Sequence, residues 1–304
     1  MNLSAQGRSR GSTAASVDHV GRLIVASRPG YRPGQVVSLE MVSAEAGVSR
    51  AMAREVLQAL HQKRLVRLQP RVGATVLHVE RWDPFDPDVI RWRLDVAPRF
   101  QMRSLTEVRQ AVEPAAAYLA AERASADACR DLVALSQQLW EEGSRPEFKN
   151  GDTAAGHKSR ERYQDIDDQF HRTLLKGSQN EMFYALADPV ALALGFRIGR
   201  EWEGVHGLRA GTVEVKGFPV EPEKLALWLH RCLAAAVEQG LPSAAESFSR
   251  AILFEIQKAP FPPTYIFSLE EALAELDLRS LGAESDSLRE VITGTRQYPR
   301  ELTP

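Results

Sequence analysis

The chain has 304 residues, enough for two domains that each bury a core, with 38 Lys and Arg against 40 Asp and Glu. No stretch approaches the roughly 18 uninterrupted apolar residues of a membrane-spanning helix, and the two cysteines, Cys129 and Cys232, exclude a disulfide-stapled scaffold. The N-terminus lacks the charged-then-apolar profile of a secretory signal, so a cytoplasmic protein is expected. Charge is unevenly spread: residues 1–80 hold 11 Lys and Arg against 5 Asp and Glu, leaving 27 against 35 for the remainder. A small basic module joined to a larger acidic one is what a protein that touches phosphates at one end would show.

In chain order, residues 1–14 are small and polar and read as a disordered arm. A first helix is predicted over 16–26, with Val17, Val20, Leu23 and Ile24 on one face. Two Pro-Gly pairs, Pro29-Gly30 and Pro33-Gly34, end it. A second helix, about 39–46, leads through Gly47 to Ser49, placed to cap a third helix that begins at Arg50. There Ala53, Val56, Leu57 and Leu60 form a single buried stripe, and Arg50 and Arg54 lie off it. Alternating segments at 65–68 and 74–79 flank Gln69-Pro70-Arg71-Val72-Gly73 and read as a hairpin with an arginine-glycine tip. Residues 15–80 thus outline a winged helix-turn-helix. Arginines left on the solvent face of its third helix suit guanine edges and phosphates in a major groove.

Residues 81–101, with three prolines and two tryptophans, read as a linker holding one helical turn. From 102 to 260 the pattern is helical, with segments near 103–124, 126–142, 160–177, 180–199, 222–239 and 242–258. Polar loops at 143–159 and 203–221 interrupt it, and 261–304 forms a C-terminal extension with one more helix at 268–278. The fold class expected is mainly α: a winged helix-turn-helix with a small β hairpin, joined to an all-α bundle. The five tryptophans are read chiefly as packing groups.

"GVSRAMAREVLQAL", followed by "LVRLQPRVGATV", resembles the DNA-binding domain of the GntR superfamily of bacterial transcription regulators. "LTEVRQAVEPAAAYLAAERAS", "DIDDQFHRTLLKGSQNEMF" and "LHRCLAAAVEQGLPSAAE" resemble successive helices of the FCD ligand-binding domain of its FadR subfamily. The linker "WDPFDPDVIRWRLDV" is similar to that of galactonate-type, sugar-acid regulators. The resemblance implies a homodimer on double-stranded operator DNA with an inverted repeat, a small carboxylate or sugar-acid effector, and no catalytic cofactor. It places DNA contacts at Ser49, Arg50, Arg54, Arg71 and Gly73. The chain departs from the family at Val37-Ser38-Leu39, where a Pro-Ser/Ala-Glu start is usual, and at Ala51 and Met52, often Thr.

In the helical domain Asp167 and His171, spaced i, i+4, share one helix face, as two ligands of one metal would. The resemblance adds His230 as a third ligand and puts a fourth histidine where Ile252 stands. Two readings stand open: a divalent ion such as Zn²⁺ on three protein ligands, or a metal-free pocket in which Asp167, His171 and His230 bind the effector directly. Arg109 matches a family arginine that faces the pocket, where its fork would take a carboxylate, or else pairs with a glutamate. Asn180 reads as a helix cap. Three functions follow: an effector-controlled DNA-binding regulator, a DNA-binding dimer without an effector, and a helical-bundle metalloenzyme. No evident general base or nucleophile accompanies the histidines, so the chain is read as a non-enzyme.

Overall fold

The computed structural model describes residues 4–70, 72–149, 153–198, 224–255 and 263–277, and the chain divides into two compact units, Met1–Arg103 and Ser104–Pro304. The first contains helix α1 (Ser4–Val25), strand β1 (Val36–Val37), α2 (Leu39–Ala46), α3 (Arg50–Gln62), β2 (Val66–Gln69), β3 (Gly73–Val76) and α4 (Pro87–Val96). α5 (Pro98–Arg123) begins in this unit and continues into the second.

Turn chemistry fixes the helix-turn-helix. The Ser38 side chain accepts from Met41 N at the start of α2, Gly47 ends that helix in the left-handed region at φ 64°, and the Ser49 side chain accepts from Met52 N to start α3. The stripe foreseen on α3 is the buried one: Ala53, Val56, Leu57 and Leu60 join Val20 and Ile24 of α1 in a single core. The sheet is antiparallel in the order β1-β3-β2, with Val37 opposite Ala74 and Gln69 opposite Gly73. β1 escaped the sequence reading because two residues carry no periodicity. Gly73 sits at φ 119°, and a Cβ there would lie 2.5 Å from the Val37 carbonyl oxygen. Glycine is therefore required by the pairing of the sheet itself.

Two expectations are corrected here. The arm expected to be disordered over 1–14 is helical from Ser4 as the first turns of α1, and Thr13 donates to Glu55 of α3 at 3.4 Å. No proline interrupts the segment, so the helix extends backward from its packed half. The expected linker 81–101 is largely structure of the first unit. Asp86 accepts from Asp88 N and Val89 N, Pro87 occupies the first helical position, and Lys63 holds both Asp86 (3.0 Å) and Asp88 (2.7 Å). α4 then buries Trp92 completely against α1. Gly21 makes the slot: a Cβ there would lie 2.3 Å from the Trp92 ring. Trp92 Nε1 donates to Asp18 at 2.7 Å, and Arg22 joins Asp18 to Asp95.

The second unit is all α: the rest of α5, then α6 (Ala126–Gly143), α7 (Pro146–Lys149), α8 (Ala154–Gly177), α9 (Glu181–Tyr184), α10 (Ala187–Ile198), α11 (Lys224–Glu238), α12 (Pro242–Glu255) and α13 (Pro263–Glu275). The loop expected over 143–159 contains α7, anchored by the fully buried Phe148, and α8 starts early because Thr153 caps it. The single helix expected over 180–199 is two. Asn180 does cap α9, accepting from Met182 N, and a tight Leu186 N to Phe183 O turn separates it from α10. The expected loop 203–221 lies outside the described residues. The segment assigned to a C-terminal extension also differs: Leu269, Ala272, Leu273 and Leu276 share the buried core of α6, α8, α11 and α12. Among the described residues no helix is long and apolar enough to cross a membrane.

Gly21→Ala should cost about 1–3 kcal/mol of stability, the usual range for overpacking, because the Trp92 ring must leave its slot. An unchanged denaturation midpoint with unchanged tryptophan emission would show the slot to be slack. The Asp18 carboxyl supplies a pH test. Burial raises its pKa, but the donors Arg22 and Trp92 outweigh that and hold it below the ordinary value. Its contribution is therefore present above about pH 4, the unfolded value, and is lost as pH falls through the lower folded value. The stability gap between parent and Asp18→Asn, followed by denaturant titration, should shrink between pH 6 and pH 3.

Candidate functional site

The first candidate surface is the solvent face of α3. With the apolar stripe turned inward, Arg50 and Arg54 are left exposed. Arg50 Nη2 lies 2.5 Å from Glu40 Oε1 of α2, with both side chains more than half exposed. Such a pair exchanges readily for another anion. Arg54 has no ion-pair partner among the described residues, so the helix-surface pair with a neighbouring glutamate is not formed, and Glu55 instead accepts from Thr13. Ser49 is engaged as the cap of α3 through its oxygen. Arg71 lies outside the described residues. Arg67, on β2, is an exposed cation of the wing that the sequence reading passed over, since alternation on that strand already assigned it outward.

The second candidate site is internal. α5 supplies Arg109 and Glu113, α8 supplies Asp167, Asp168 and His171, and α11 supplies His230. Each pair spaced i, i+4 projects from one helix face. Arg109, Glu113, Asp167, His171 and His230 are all buried to within a few per cent. Arg109 grips Glu113 through Nε at 2.5 Å and Nη2 at 3.3 Å. On the other side of the carboxylate, Glu113 Oε2 stands 2.9 Å from His171 Nδ1, within ion-pair distance but without hydrogen-bond alignment. Asp167 Oδ1 lies 3.3 Å from His230 Nε2 and 3.8 Å from His171 Nε2. Phe170 lies edge-on to both imidazoles, with centroids 5.7 and 5.0 Å away.

Burial raises a carboxyl pKa, and in this cluster charge decides whether it stays raised. At Glu113 the Arg109 guanidinium and His171 overcome burial and bring the value down to about 2. Asp167 is likewise held well below the carboxylate range by His230, His171 and Arg109. At Asp168 burial and the neighbouring Asp167 charge outweigh Arg172 and Arg109 and push the value up to about 7, and its Oδ1 is buried without a hydrogen bond.

One carbonyl sets the His230 tautomer. Its Nδ1 lies 2.7 Å from Ala226 O, which can only accept, so Nδ1 carries a proton and Nε2 is the nitrogen turned to Asp167. That Nε2 and both nitrogens of His171 are buried with no aligned hydrogen bond. Buried orphans of this kind mark a place that an ion or ligand would complete. The ligand atoms of Asp167, His171 and His230 all lie within 4.8 Å of one another, and they are the one group of three such residues among the described residues. An oxygen and two imidazole nitrogens suit Zn²⁺ or a similar ion, and the second ring nitrogens face a backbone carbonyl and a carboxylate, as metal-bound histidines do.

The remaining expectations divide. Ile252, where a fourth histidine was considered, is 3% exposed and belongs to the same apolar cluster as Phe170 and Leu229, so it offers no ligand. Of the two readings of Arg109, the structure forms the pair with a glutamate, its fork lying on Glu113. Glu113 itself went unforeseen: a lone acid among alanines and valines resembles a surface residue. The one available signal was its i, i+4 spacing from Arg109.

The FCD domain family matches residues 104–254. The galactonate operon transcriptional repressor of Escherichia coli (strain K12) is 30% identical over 177 residues, covering 57% of this chain and 71% of that protein. Among solved structures, a Streptococcus agalactiae GntR is similar at 16% identity and TM-score 0.41, over 81% of this chain and 99% of its own. Lar, which controls expression of the Listeria monocytogenes agr system, is similar at 15% identity and TM-score 0.46, over 79% and 94%. At these scores the structural likeness carries no functional inference. The winged first unit, the FCD match and the repressor relative agree, and the chain belongs to the FCD-containing FadR subfamily of the GntR superfamily, as a DNA-binding transcription regulator with an FCD effector domain.

Proposed function

We propose that the protein is a cytoplasmic, homodimeric repressor that reads an inverted-repeat operator through two copies of α3 and its wing, and that a sugar-acid carboxylate in the helical unit releases it. The observation that carries this reading is the buried cluster of Arg109, Asp167, His171 and His230 with its orphaned imidazole nitrogens. The name of the 30%-identical relative supports the effector class and the sign of control. On the DNA side, Arg54 and Arg50 serve as base or phosphate contacts, with Ser49, Arg71 and Gly73 as further contacts.

Charge favours a metal in the cluster. Two carboxylates, Glu113 and Asp167, face one guanidinium, Arg109, so the fixed charges of the cluster sum to a negative value that disfavours an anionic effector. A divalent ion such as Zn²⁺ on Asp167, His171 and His230 would reverse that sign and leave a coordination position for a carboxylate. Ala226 O fixes the His230 imidazole, Glu113 stands beside His171 Nδ1, and Arg109 keeps Glu113 ionised. Release of DNA is bounded by how much better the effector binds the geometry that cannot span both half-sites.

The deciding experiment is fluorescence anisotropy of the protein on the DNA upstream of its own gene, titrated with galactonate and gluconate, with and without a chelator. Release by one acid that is lost on chelation is expected. Tight binding that no acid changes would favour a DNA-binding dimer without an effector, a reading to which the Arg109–Glu113 pairing and Ile252 lend weight. Turnover of an acid by the pure protein would instead revive the metalloenzyme, and absence of sequence-specific binding would overturn the proposal.

Asp167→Ala should keep operator affinity within about twofold while making repression uninducible, the pattern of a lost ligand contact with an intact DNA face. Loss of DNA binding and release together would make Asp167 structural only. Arg54→Ala should cost about 1–3 kcal/mol of specific binding and relax preference at one position per half-site. If Arg54 touches phosphate alone, affinity falls on all sequences and the salt dependence flattens, and equal affinity removes it from the interface.

A further inference from the structure

Away from the α3 face, the first unit contains a cavity of about 270 Å³ where the end of α1, the turn after β3 and α4 meet. Val79, Trp82 and Val96 give it apolar walls, and Arg93, His78 and Ser27 give it donors. No carboxylate lines it. The acids on α4 and at its start are engaged elsewhere: Asp95 by Arg22, and Asp86 and Asp88 by Lys63. Arg93 is half-buried and has no ion pair or side-chain hydrogen bond among the described residues, its one recorded contact being the Phe100 ring 5.6 Å from Cζ. Burial with no anion beside it pushes its pKa down from the usual arginine value. A guanidinium partly withdrawn from water without a counter-ion is electrostatically incomplete.

We propose that this cavity binds a small organic acid, its carboxylate on the Arg93 fork and its hydrocarbon body against Val79, Trp82 and Val96. A planar carboxylate matches the fork in bidentate fashion, and a single charge is all that the apolar walls tolerate. The volume lies at the lower end for small-molecule pockets, which suits an acid of a few carbons or one ring. A polyhydroxy acid gains little there, because Val79, Trp82 and Val96 offer its hydroxyls no side-chain partner. The Trp82 ring is a fixed wall, since its Nε1 donates to Leu77 O at 2.9 Å. The site is separate in residues and in ligand chemistry from the cluster of the helical unit.

The test is calorimetric titration of the full chain with benzoate and hexanoate, with acetate and sulfate as controls and with galactonate present at saturation. Benzoate or hexanoate should bind in the presence of galactonate, at least tenfold more tightly than acetate or sulfate. Arg93→Met should weaken that binding at least tenfold. Val96→Glu is a second variant at an exposed position one turn along α4, and it places a carboxylate beside Arg93. It should abolish benzoate binding while the chain stays folded by circular dichroism. Failure of the parent to bind either acid, equal binding of acetate or sulfate, displacement by galactonate, or equal binding by parent and Val96→Glu would each overturn the proposal.

Discussion

The interior of the helical unit is organised around a neutralisation problem. Glu113 and Asp167 are ionised where water does not reach, and one guanidinium, Arg109, faces them with two imidazoles. Isolated buried charges are too costly to persist, so each must be answered by geometry. The helical period provides it. Arg109 and Glu113 share one face of α5, Asp167 and His171 share one face of α8, and His230 enters from α11. Removing Arg109 would take from Glu113 the group that donates to both of its oxygens and leave its charge beside His171. The cluster is therefore a sequence of dependencies, and the two orphaned Nε2 atoms at its end are where those dependencies stop within the protein.

The first unit solves a different problem, that of giving order to a segment rich in proline. Pro87 is placed where a helix lacks an N–H bond anyway, Asp86 caps the same turn, and Lys63 ties Asp86 and Asp88 to the end of α3. The indole of Trp92 then occupies the gap that Gly21 leaves in α1. Each contact alone is modest. Together they make α4 part of the body that carries α3.

Legibility in the sequence followed the reach of each signal. The stripe on α3 was readable because four apolar residues at helical spacing carry their own evidence, and Ser49 caps the helix in the expected place. β1 was invisible, since two residues show no period and owe their strand to Ala74 and Thr75 across the sheet. α13 read as an appendage because its own sequence does not reveal that Leu269 and Leu273 complete a core built elsewhere. In the buried site, Asp167 and His171 could be paired from spacing alone. His230 lies some sixty residues away and entered through the family resemblance. Glu113 needed the fold, because only packing distinguishes a buried acid from a surface one.

Arginine plays two opposite parts in the chain, and the surroundings decide which. Arg50 pairs with Glu40 in water, where exchange of one anion for another is nearly free, and Arg54 has no ion-pair partner among the described residues. Arg109 makes a similar fork on a carboxylate, but no water reaches it, so the pair can open only if another group takes over each charge. The first situation suits a surface that must bind and leave a polyanion. The second suits a fixed frame that holds ligand atoms in register. Residue type is common to both, and burial separates them: the α3 arginines stay exchangeable, while Arg109 is held on Glu113.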